Sequence, residues 1–360
     1  MRLLCSISAL LLVAASSSYA QDPALQGESS VKTRYSLAVI DDATFYSGLR
    51  TPSPEILNQV LVEPTFDLRY HSRWSFSTSL IGSTVTYSDT STKLHVKETY
   101  AGLSAGDFDF TLGRKMVRWG TGYAFTAAGV LDPPRDPTNP TDRLNVNQGR
   151  DMVKADWVHG RHAFTLAWST AALAPPHSNL HDTTAFRYNV LVRGFDTSLI
   201  AGNDRGVDTF GGLTFTRVLG QAWEMHGEAV WSEQGALLLG GKYTTHTGIT
   251  FIGEFFTQPD TPYFRDMMPA PVHGRQNYAL FSVGKTRLRE RPRWKEWDLS
   301  GSVVTDLNDQ SFTAVADVSR WFGNHFSSYL HMEIPHGGPG SVYGSAPYST
   351  ASSVGIRFHL

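Results

Sequence analysis

The stretch that decides the fold is Ser353-Val354-Gly355-Ile356-Arg357-Phe358-His359-Leu360, in which apolar side chains alternate with small or polar ones. Successive side chains of an extended strand point to opposite faces, so this segment has one apolar and one polar face. The same period-2 pattern recurs over residues 186–193, 221–231, 297–306 and 325–334. The sequence therefore predicts an all-β protein built from many half-apolar strands.

Two architectures produce this alternation. A soluble sandwich buries its apolar faces between two sheets, whereas a transmembrane barrel turns them toward lipid and encloses a polar lumen. The predicted strands run for about ten residues or more, which is the length that a tilted membrane strand requires. Tryptophans near predicted strand ends are typical of interfacial girdles; they are Trp74, Trp119, Trp157, Trp168, Trp223, Trp231, Trp297 and Trp321.

The predicted connections also favour the barrel, because tight turns alternate with longer loops. Tight turns are predicted at His71-Ser72, His159-Gly160, Arg193-Gly194 and Leu219-Gly220, with longer links between them. Short turns on one side and longer loops on the other are typical of outer-membrane barrels. The sequence therefore predicts about 18 antiparallel strands, and a count of 16 is also compatible with the pattern. The short turns are expected on the periplasmic side and the longer loops on the extracellular side.

Composition agrees with a single membrane barrel. Of 360 residues, 41% are hydrophobic and only 18% are charged, and the formal net charge is −2. Such a composition excludes intrinsic disorder and argues against a nucleic-acid binder. No segment approaches the 18 or more apolar residues of a transmembrane helix.

The first residues have the features of a secretory signal. Arg2 precedes a short apolar run, and Ser18-Tyr19-Ala20 is a small-x-small cleavage site, which places the mature start at Gln21. We therefore expect a signal peptide over 1–20, a short periplasmic segment over 21–30 and the barrel over 31–360. The single cysteine, Cys5, lies in the signal. The predicted location is the outer membrane of a Gram-negative bacterium.

Two places break the strand pattern. Arg114 and Arg118 fall on the same parity as the apolar residues of the strand that begins at Asp107. A bulge at Gly113 is predicted to reverse the register and turn both arginines inward. Pro64 interrupts another run, so we expect that strand to begin just after it.

Charged residues supply the candidates for a selective pore. Arg287, Arg289, Arg291 and Arg293 share one parity in a dense charge run, which either attracts anions at a pore mouth or is a solvated turn. The other pore-lining candidates are Arg114, Arg118, Arg187, Arg193, Glu224 and Glu228. Mixed charge in a lumen predicts modest selectivity.

The largest predicted loop, Gly120–Arg150, is the other candidate element. A loop of this length is often functional. Folded into the barrel it would narrow the pore, with Arg135, Asp136, Asp142 and Arg143 as rim charges; folded outward it would be an extracellular cap. The sequence leaves both directions open.

The leading functional hypothesis is a passive outer-membrane channel for small hydrophilic solutes, with anionic solutes as one alternative. The chain has no nucleophile elbow, zinc-protease or phosphate-loop motif, so no enzyme, metal or cofactor is predicted. The rival hypotheses are a membrane-embedded lipid hydrolase and a closed barrel that anchors partners. Expected partners are outer-membrane lipid, lipopolysaccharide and the solute, with self-association left open and no nucleic acid.

One passage carries a family resemblance. Arg114, Arg118, Trp119 and Gly120 match the G-R-x-x-x-x-W-G strand-to-loop passage of Gram-negative porin-like barrels. Among these the chain resembles alginate-export-like porins. That resemblance implies an 18-stranded barrel that passes an anionic solute or polysaccharide through an arginine-lined lumen.

Overall fold

The computed structural model describes residues 31–50, 55–87, 89–133, 135–139, 144, 146–172, 182–205, 208–232, 235–258, 276–285 and 296–360. These residues form eighteen strands. In chain order they are β1 (Val31–Ser47), β2 (Ile56–Tyr70), β3 (Trp74–Thr86), β4 (Thr90–Ala105), β5 (Phe108–Lys115), β6 (Arg150–His159), β7 (His162–Thr170), β8 (Thr183–Val192), β9 (Phe195–Asp204), β10 (Asp208–Leu219), β11 (Trp223–Trp231), β12 (Gly235–Thr244), β13 (Ile249–Gln258), β14 (Gln276–Lys285), β15 (Trp297–Asp306), β16 (Phe312–Phe322), β17 (Phe326–His336) and β18 (Thr350–His359).

The strands close into one barrel. Each strand pairs antiparallel with its sequence neighbours, and β1 also pairs with β18, from Ala38 opposite His359 to Ser47 opposite Thr350. Closure leaves no long unpaired edge around the ring. The prediction of an antiparallel barrel is confirmed, with 18 strands rather than 16. Within the described part of the chain, no helix is long and apolar enough to cross a membrane.

Short turns gather at one end of the barrel, here called the short-turn end. The turns at Gly106, Gly160, Gly194, Gly220 and Gly323 each place a glycine at positive φ, a conformation that costs glycine little. His71, Ser72 and Arg193 also have positive φ in these turns. The longest described connections, after β5 and after β17, lie at the opposite, long-loop end. The predicted alternation of turns and loops is therefore present.

The two faces of the wall differ as the alternation predicts. In β18, Val354 and Ile356 are 50% and 46% exposed on the outside, while Ser353 is 2% exposed on the inside. Most outward positions elsewhere are Leu, Val, Phe, Trp or Tyr. An apolar outer band around a largely polar inner face is the pattern of a membrane barrel.

The structure corrects both strand irregularities. The ladder between β4 and β5 continues without a shift through Gly113, so the predicted bulge there is wrong and Arg114 keeps the parity of Leu112. The register shift lies instead between β3 and β4, at Ser79/Leu80. Pro64 lies inside β2 opposite Leu37, where the pairing of β2 with β3 is interrupted, rather than before the strand.

Two of the predicted girdle tryptophans face inward. Trp119 is 4% exposed and lies in the connection after β5. The indole N–H of Trp321 donates to Asp298 on the inner wall, at 2.9 Å. By contrast, Trp74, Trp168, Trp223 and Trp231 are about half exposed on the outside, as the girdle prediction expects.

Candidate functional site: the lumen and its inner loop

The described residues of the connection between β5 and β6 (116–133, 135–139, 144 and 146–149) fold into the barrel and are here called the inner loop. Ala124, Phe125 and Ala127 are at most 2% exposed, and they pack on Leu238, Phe256 and Tyr278 of the wall. The Phe125 and Phe256 rings stack with their centroids 5.3 Å apart. A second cluster joins Trp119, Val130 and Leu131 to Ile200 and Phe210. The inward alternative for the large loop is therefore the observed one.

Glu228 on β11 holds the inner loop by its carboxylate. The side chain is 2% exposed and accepts six hydrogen bonds, all from the loop. The donors are the backbone N–H groups of Thr121, Gly122, Ala127 and Ala128 and the hydroxyls of Thr121 and Thr126. Converging backbone N–H groups form a concave site for an anion, and here a wall carboxylate fills it.

Glu254 on β13 binds the next residues of the inner loop in the same way, through its carboxylate. Its carboxylate accepts hydrogen bonds from the backbone N–H groups of Tyr123, Ala124 and Phe125. His226 Nε2 lies 3.0 Å from Glu254 Oε1 and orients it. Gly122 lies between the two carboxylates, where an added Cβ would come within 2.7 Å of Leu238 Cδ1. Close approach of the loop backbone to the wall thus requires glycine there.

A third buried carboxylate shapes the loop from within. Asp132 accepts from the backbone N–H groups of Trp119 and Gly120 and forms an ion pair with Arg135, at 3.0 Å. Burial raises the pKa of the Asp132 carboxyl, and the Arg135 guanidinium acts in the opposite direction. Arg135 also donates to the carbonyls of Gly122 and Phe125, so it closes the loop on itself.

The inner loop spans the lumen from wall to wall. Leu144, near its end, packs on Ile40, Leu61 and Ile81 of β1, β2 and β3. On the other side, the Tyr123 hydroxyl donates to Glu224 at 2.9 Å and accepts from Lys242 Nζ at 3.1 Å. Burial and then the Glu224 carboxylate raise the pKa of Tyr123. The loop therefore narrows the lumen at this level.

A chamber of ≈ 650 Å³ lies between the inner loop and the short-turn end. Tyr123 and Leu144 border it from the loop, and serines of β14, β15 and β16 line its wall. Its charged lining is evenly mixed: Lys242, Lys285 and Arg357 against Glu63, Asp298 and Asp317. Several of these charges are paired, such as Glu63 with Lys97 at 2.9 Å. A balanced lining of this kind creates no strong field of one sign.

The structure brings some of the predicted site residues to the lumen. Glu224, Glu228 and Arg187 lie on the inner face, with Arg187 Nε donating to the Ser198 hydroxyl at 2.9 Å. Arg135 and Asp136 lie in the inner loop, where Asp136 is exposed. The charges of Glu224 and Glu228 are thus used largely to hold the loop.

Other predicted site residues lie elsewhere. Arg193 is exposed in the β8–β9 turn and does not line the lumen. Arg114 binds Asp151 with two hydrogen bonds and donates to the Val96 carbonyl, where β5 ends. Arg118 is exposed at the start of the inner loop. Asp142, Arg143, Arg287, Arg289, Arg291 and Arg293 lie outside the described residues.

Sequence reasoning missed Glu254, His226 and Asp132. A signal for the first two exists, because each is a polar residue on the inward parity of a strand with apolar outward neighbours. In the described part of the chain, no group of three or more His, Cys, Asp or Glu side chains is placed to hold a metal ion.

The connection after β17, residues 337–349, adds a layer above the inner loop. Tyr343 is 9% exposed and joins the cluster around Phe125 and Tyr278. The backbone N–H of Val342 donates to Asp309, and that of Tyr343 donates to the Ser311 hydroxyl. This connection therefore stabilises the loop side of the constriction.

A closed barrel of eighteen antiparallel strands, apolar outside and narrowed by an inward loop, has the architecture of the porin class of outer-membrane proteins. Solved structures of Pseudomonas aeruginosa proteins share it. OpdL aligns with a TM-score of 0.63 at 9% identity over 91% of this chain and 99% of that chain. The outer membrane protein OprD aligns at 0.61 and 10% identity over 91% and 94%.

OccK11 (OpdR) aligns equally well, at 0.61 and 10% identity over 91% of this chain and 96% of that chain. At these identities the likeness shows the fold alone. It supports the porin-like resemblance predicted above and gives no support to the alginate-export-like refinement. No protein-family model matches the chain, and no curated protein matches it in sequence.

Proposed function

We propose that the protein is an outer-membrane channel for passive diffusion of small hydrophilic solutes. The main support for this proposal is the inner loop, which Glu228 and Glu254 hold across the lumen of a closed barrel. A barrel of this strand number is wide enough to enclose an aqueous lumen. The loop reduces that width and leaves a polar chamber beside it. Diffusion through such a path requires no covalent step and no cofactor.

Modest charge selectivity is part of this proposal. The chamber lining carries equal numbers of cationic and acidic side chains. A mixed lining admits solutes of both signs, and their relative rates depend on single residues near the narrow part. Among the cations of the chamber lining, Lys242 contacts the inner loop directly, through the Tyr123 hydroxyl. We propose that Lys242 favours anions at this level.

The outer surface supports the proposed location. Aromatic side chains of outward parity, such as Trp74 and Trp223 at the short-turn end and Trp168 and Trp231 at the other, mark two rims. Membrane barrels place such aromatic belts at both interfaces. Outer-membrane lipid and lipopolysaccharide are then the surrounding partners, and the short-turn end faces the periplasm.

Planar-bilayer recording of the purified protein tests the channel. We expect discrete conductance steps. In a salt gradient the reversal potential should lie close to zero, because the channel selects only weakly between anions and cations. Lys242→Gln should move the reversal potential toward cations. Arg217→Gln is the matched control, because Arg217 lies over the Phe195 ring on the outer face and should not affect it. If bilayers that contain the purified protein show no conductance steps, the proposed channel function is wrong.

A further inference from the structure

One side of the chamber carries a group of hydroxyl and carboxylate side chains on β14, β15 and β16, here called the hydroxyl strip. Its members are Ser282, Asp298, Ser300, Asp317 and Ser319. In the pairing of β15 with β16, Ser300 lies opposite Asp317 and Asp298 lies opposite Ser319. Side chains that are directly opposite have Cβ atoms about 4.5–5.5 Å apart. The polar groups of the strip are therefore close enough to bind one small molecule together.

Several groups of the hydroxyl strip are open to a solute. Within the described part of the chain, no side chain forms a hydrogen bond with the hydroxyl of Ser282 or Ser300, and Ser300 is exposed. One carboxylate oxygen of Asp317 lies 2.7 Å from His331 Nδ1, and the Asp317 side chain is still 44% exposed. Hydroxyls both donate and accept hydrogen bonds, and carboxylate oxygens accept them. The strip therefore complements a solute whose own polar groups are hydroxyls.

An aromatic ring lies along the wall next to the hydroxyl strip. In one cross-strand row, Ser319 is followed by Tyr329 on β17, Gly355 on β18 and Asp42 on β1. The Tyr329 side chain lies over Gly355, where an added Cβ would come within 2.2 Å of the ring atom Cζ. The Tyr329 hydroxyl donates to Asp42 at 2.6 Å. Held in this way, the ring lies along the inner wall and borders the chamber.

Aliphatic side chains extend this ring into a larger apolar patch. Ile40, Leu61 and Leu144 form one cluster with Tyr329, and all four line the chamber. Apolar surface in contact with water is unfavourable, and covering it with apolar atoms of a solute is favourable. The chamber therefore presents an apolar patch directly beside the hydroxyl strip, and it fits a solute that has both kinds of surface.

The charges around the strip are already engaged. Lys242 Nζ lies 3.9 Å from Glu224 Oε2, and Asp298 accepts the indole N–H of Trp321 at 2.9 Å. Glu63 is paired as described above. These charges influence how fast small ions pass, but binding a charged solute would require it to displace an existing partner. An uncharged solute avoids that cost.

We propose that the chamber is a binding site for an uncharged sugar. The hydroxyl groups at the edge of the sugar ring bind the hydroxyl strip, and the C–H groups on its face contact the apolar patch. The chamber volume of ≈ 650 Å³ lies within the range of about 300–1,000 Å³ that is typical of small-ligand sites. This inference rests on the proposed channel function, for which it names the solute class. Weak binding inside a lumen favours entry of one solute and still permits its release.

NMR titration of the purified protein in detergent tests the site, because it measures binding without requiring ion flow. Glucose, glucuronate and glucosamine present the same ring with no charge, a negative charge and a positive charge. We expect saturable binding of glucose, with a lower dissociation constant than for either charged sugar. Asp317→Ala removes a carboxylate acceptor and should raise the dissociation constant for glucose by about 10-fold or more.

Two more variants complete the test. Ser300→Ala removes one exposed hydroxyl and should raise the dissociation constant by about 2- to 10-fold. The matched control is Asp196→Ala, which removes a carboxylate on the inner parity of β9 outside the chamber lining and should leave glucose binding unchanged. Equal affinity for a charged sugar would overturn the proposal, as would equal glucose affinity in all three variants.

Bilayer recording keeps this proposal separate from the channel function. Clear conductance steps from a protein that does not bind glucose refute the sugar site and leave the channel in place. The absence of conductance steps refutes the channel itself.

Discussion

The hold of Glu228 on the inner loop offers the sharpest test of the constriction. Glu228→Gln keeps the shape of the side chain but replaces one carboxylate oxygen with an amide NH2. In either orientation that group would face three donors of the inner loop, because Oε1 and Oε2 each accept three hydrogen bonds from it. Charge-assisted hydrogen bonds contribute about 1.5–3 kcal/mol each, although such values do not add.

The expected cost follows from burial. Leaving a buried donor without its acceptor costs about 1–3 kcal/mol, and at Glu228, which is 2% exposed, three donors face the amide, so we expect a loss of about 3 kcal/mol or more. A loss of that size shifts the balance between docked and released loop by more than about a hundredfold. Single-channel recording should then show a larger mean conductance and stronger current noise, because the loop no longer stays on β11.

Asp196→Asn is the matched control for Glu228→Gln. Asp196 is a carboxylate on the inner parity of β9 that binds Asn189 and forms no hydrogen bond with the described residues of the inner loop. Both substitutions remove one negative charge from the lumen, but only one of them touches the loop. Wild-type conductance and noise in Glu228→Gln would refute the reasoning that this carboxylate sets the constriction.

Two further substitutions test the packing of the loops. Arg135→Leu leaves the Asp132 carboxylate, whose side chain is 0% exposed, without its ion pair. The free energy of unfolding in urea should fall by about 3 kcal/mol. The control Arg118→Leu changes an exposed position and should alter this free energy little. Tyr343→Phe removes a buried hydroxyl that has no hydrogen-bond partner among the residues that the structure describes. Because an unsatisfied buried polar group costs about 1–3 kcal/mol, the urea midpoint should stay unchanged or rise, and a clear fall would contradict the account.

The barrel could be predicted from the sequence because lipid forces a rule on every strand. Outward positions in the middle of the bilayer must be mostly apolar and each strand must cross the bilayer, so the pattern in residues 353–360 repeats around the ring. Turn glycines such as Gly160 and Gly194 fixed the ends of the strands. Both signals are local in the sequence, so they can be recognised without knowing which strands pair with each other.

The direction of the inner loop could not be predicted, because contacts distant in sequence decide it. Glu228 and Glu254 lie at least 100 residues after the loop residues that they bind. The parity of Arg114 was misjudged for the same reason. The β4–β5 ladder keeps its register through Gly113, and Asp151 and the Val96 carbonyl bind the outward Arg114 at the end of β5; only the strand pairing reveals these partners.

Passage of solutes through the chamber beside the inner loop is tested most directly by thiol labelling of an open channel. Ser300→Cys places a single thiol on the chamber wall, and Leu213→Cys places one on the outer face of β10. A small charged thiol reagent added during single-channel recording should reduce the conductance of Ser300→Cys and leave that of Leu213→Cys unchanged. Current through Ser300→Cys that is insensitive to a reagent shown to have reacted would contradict the account.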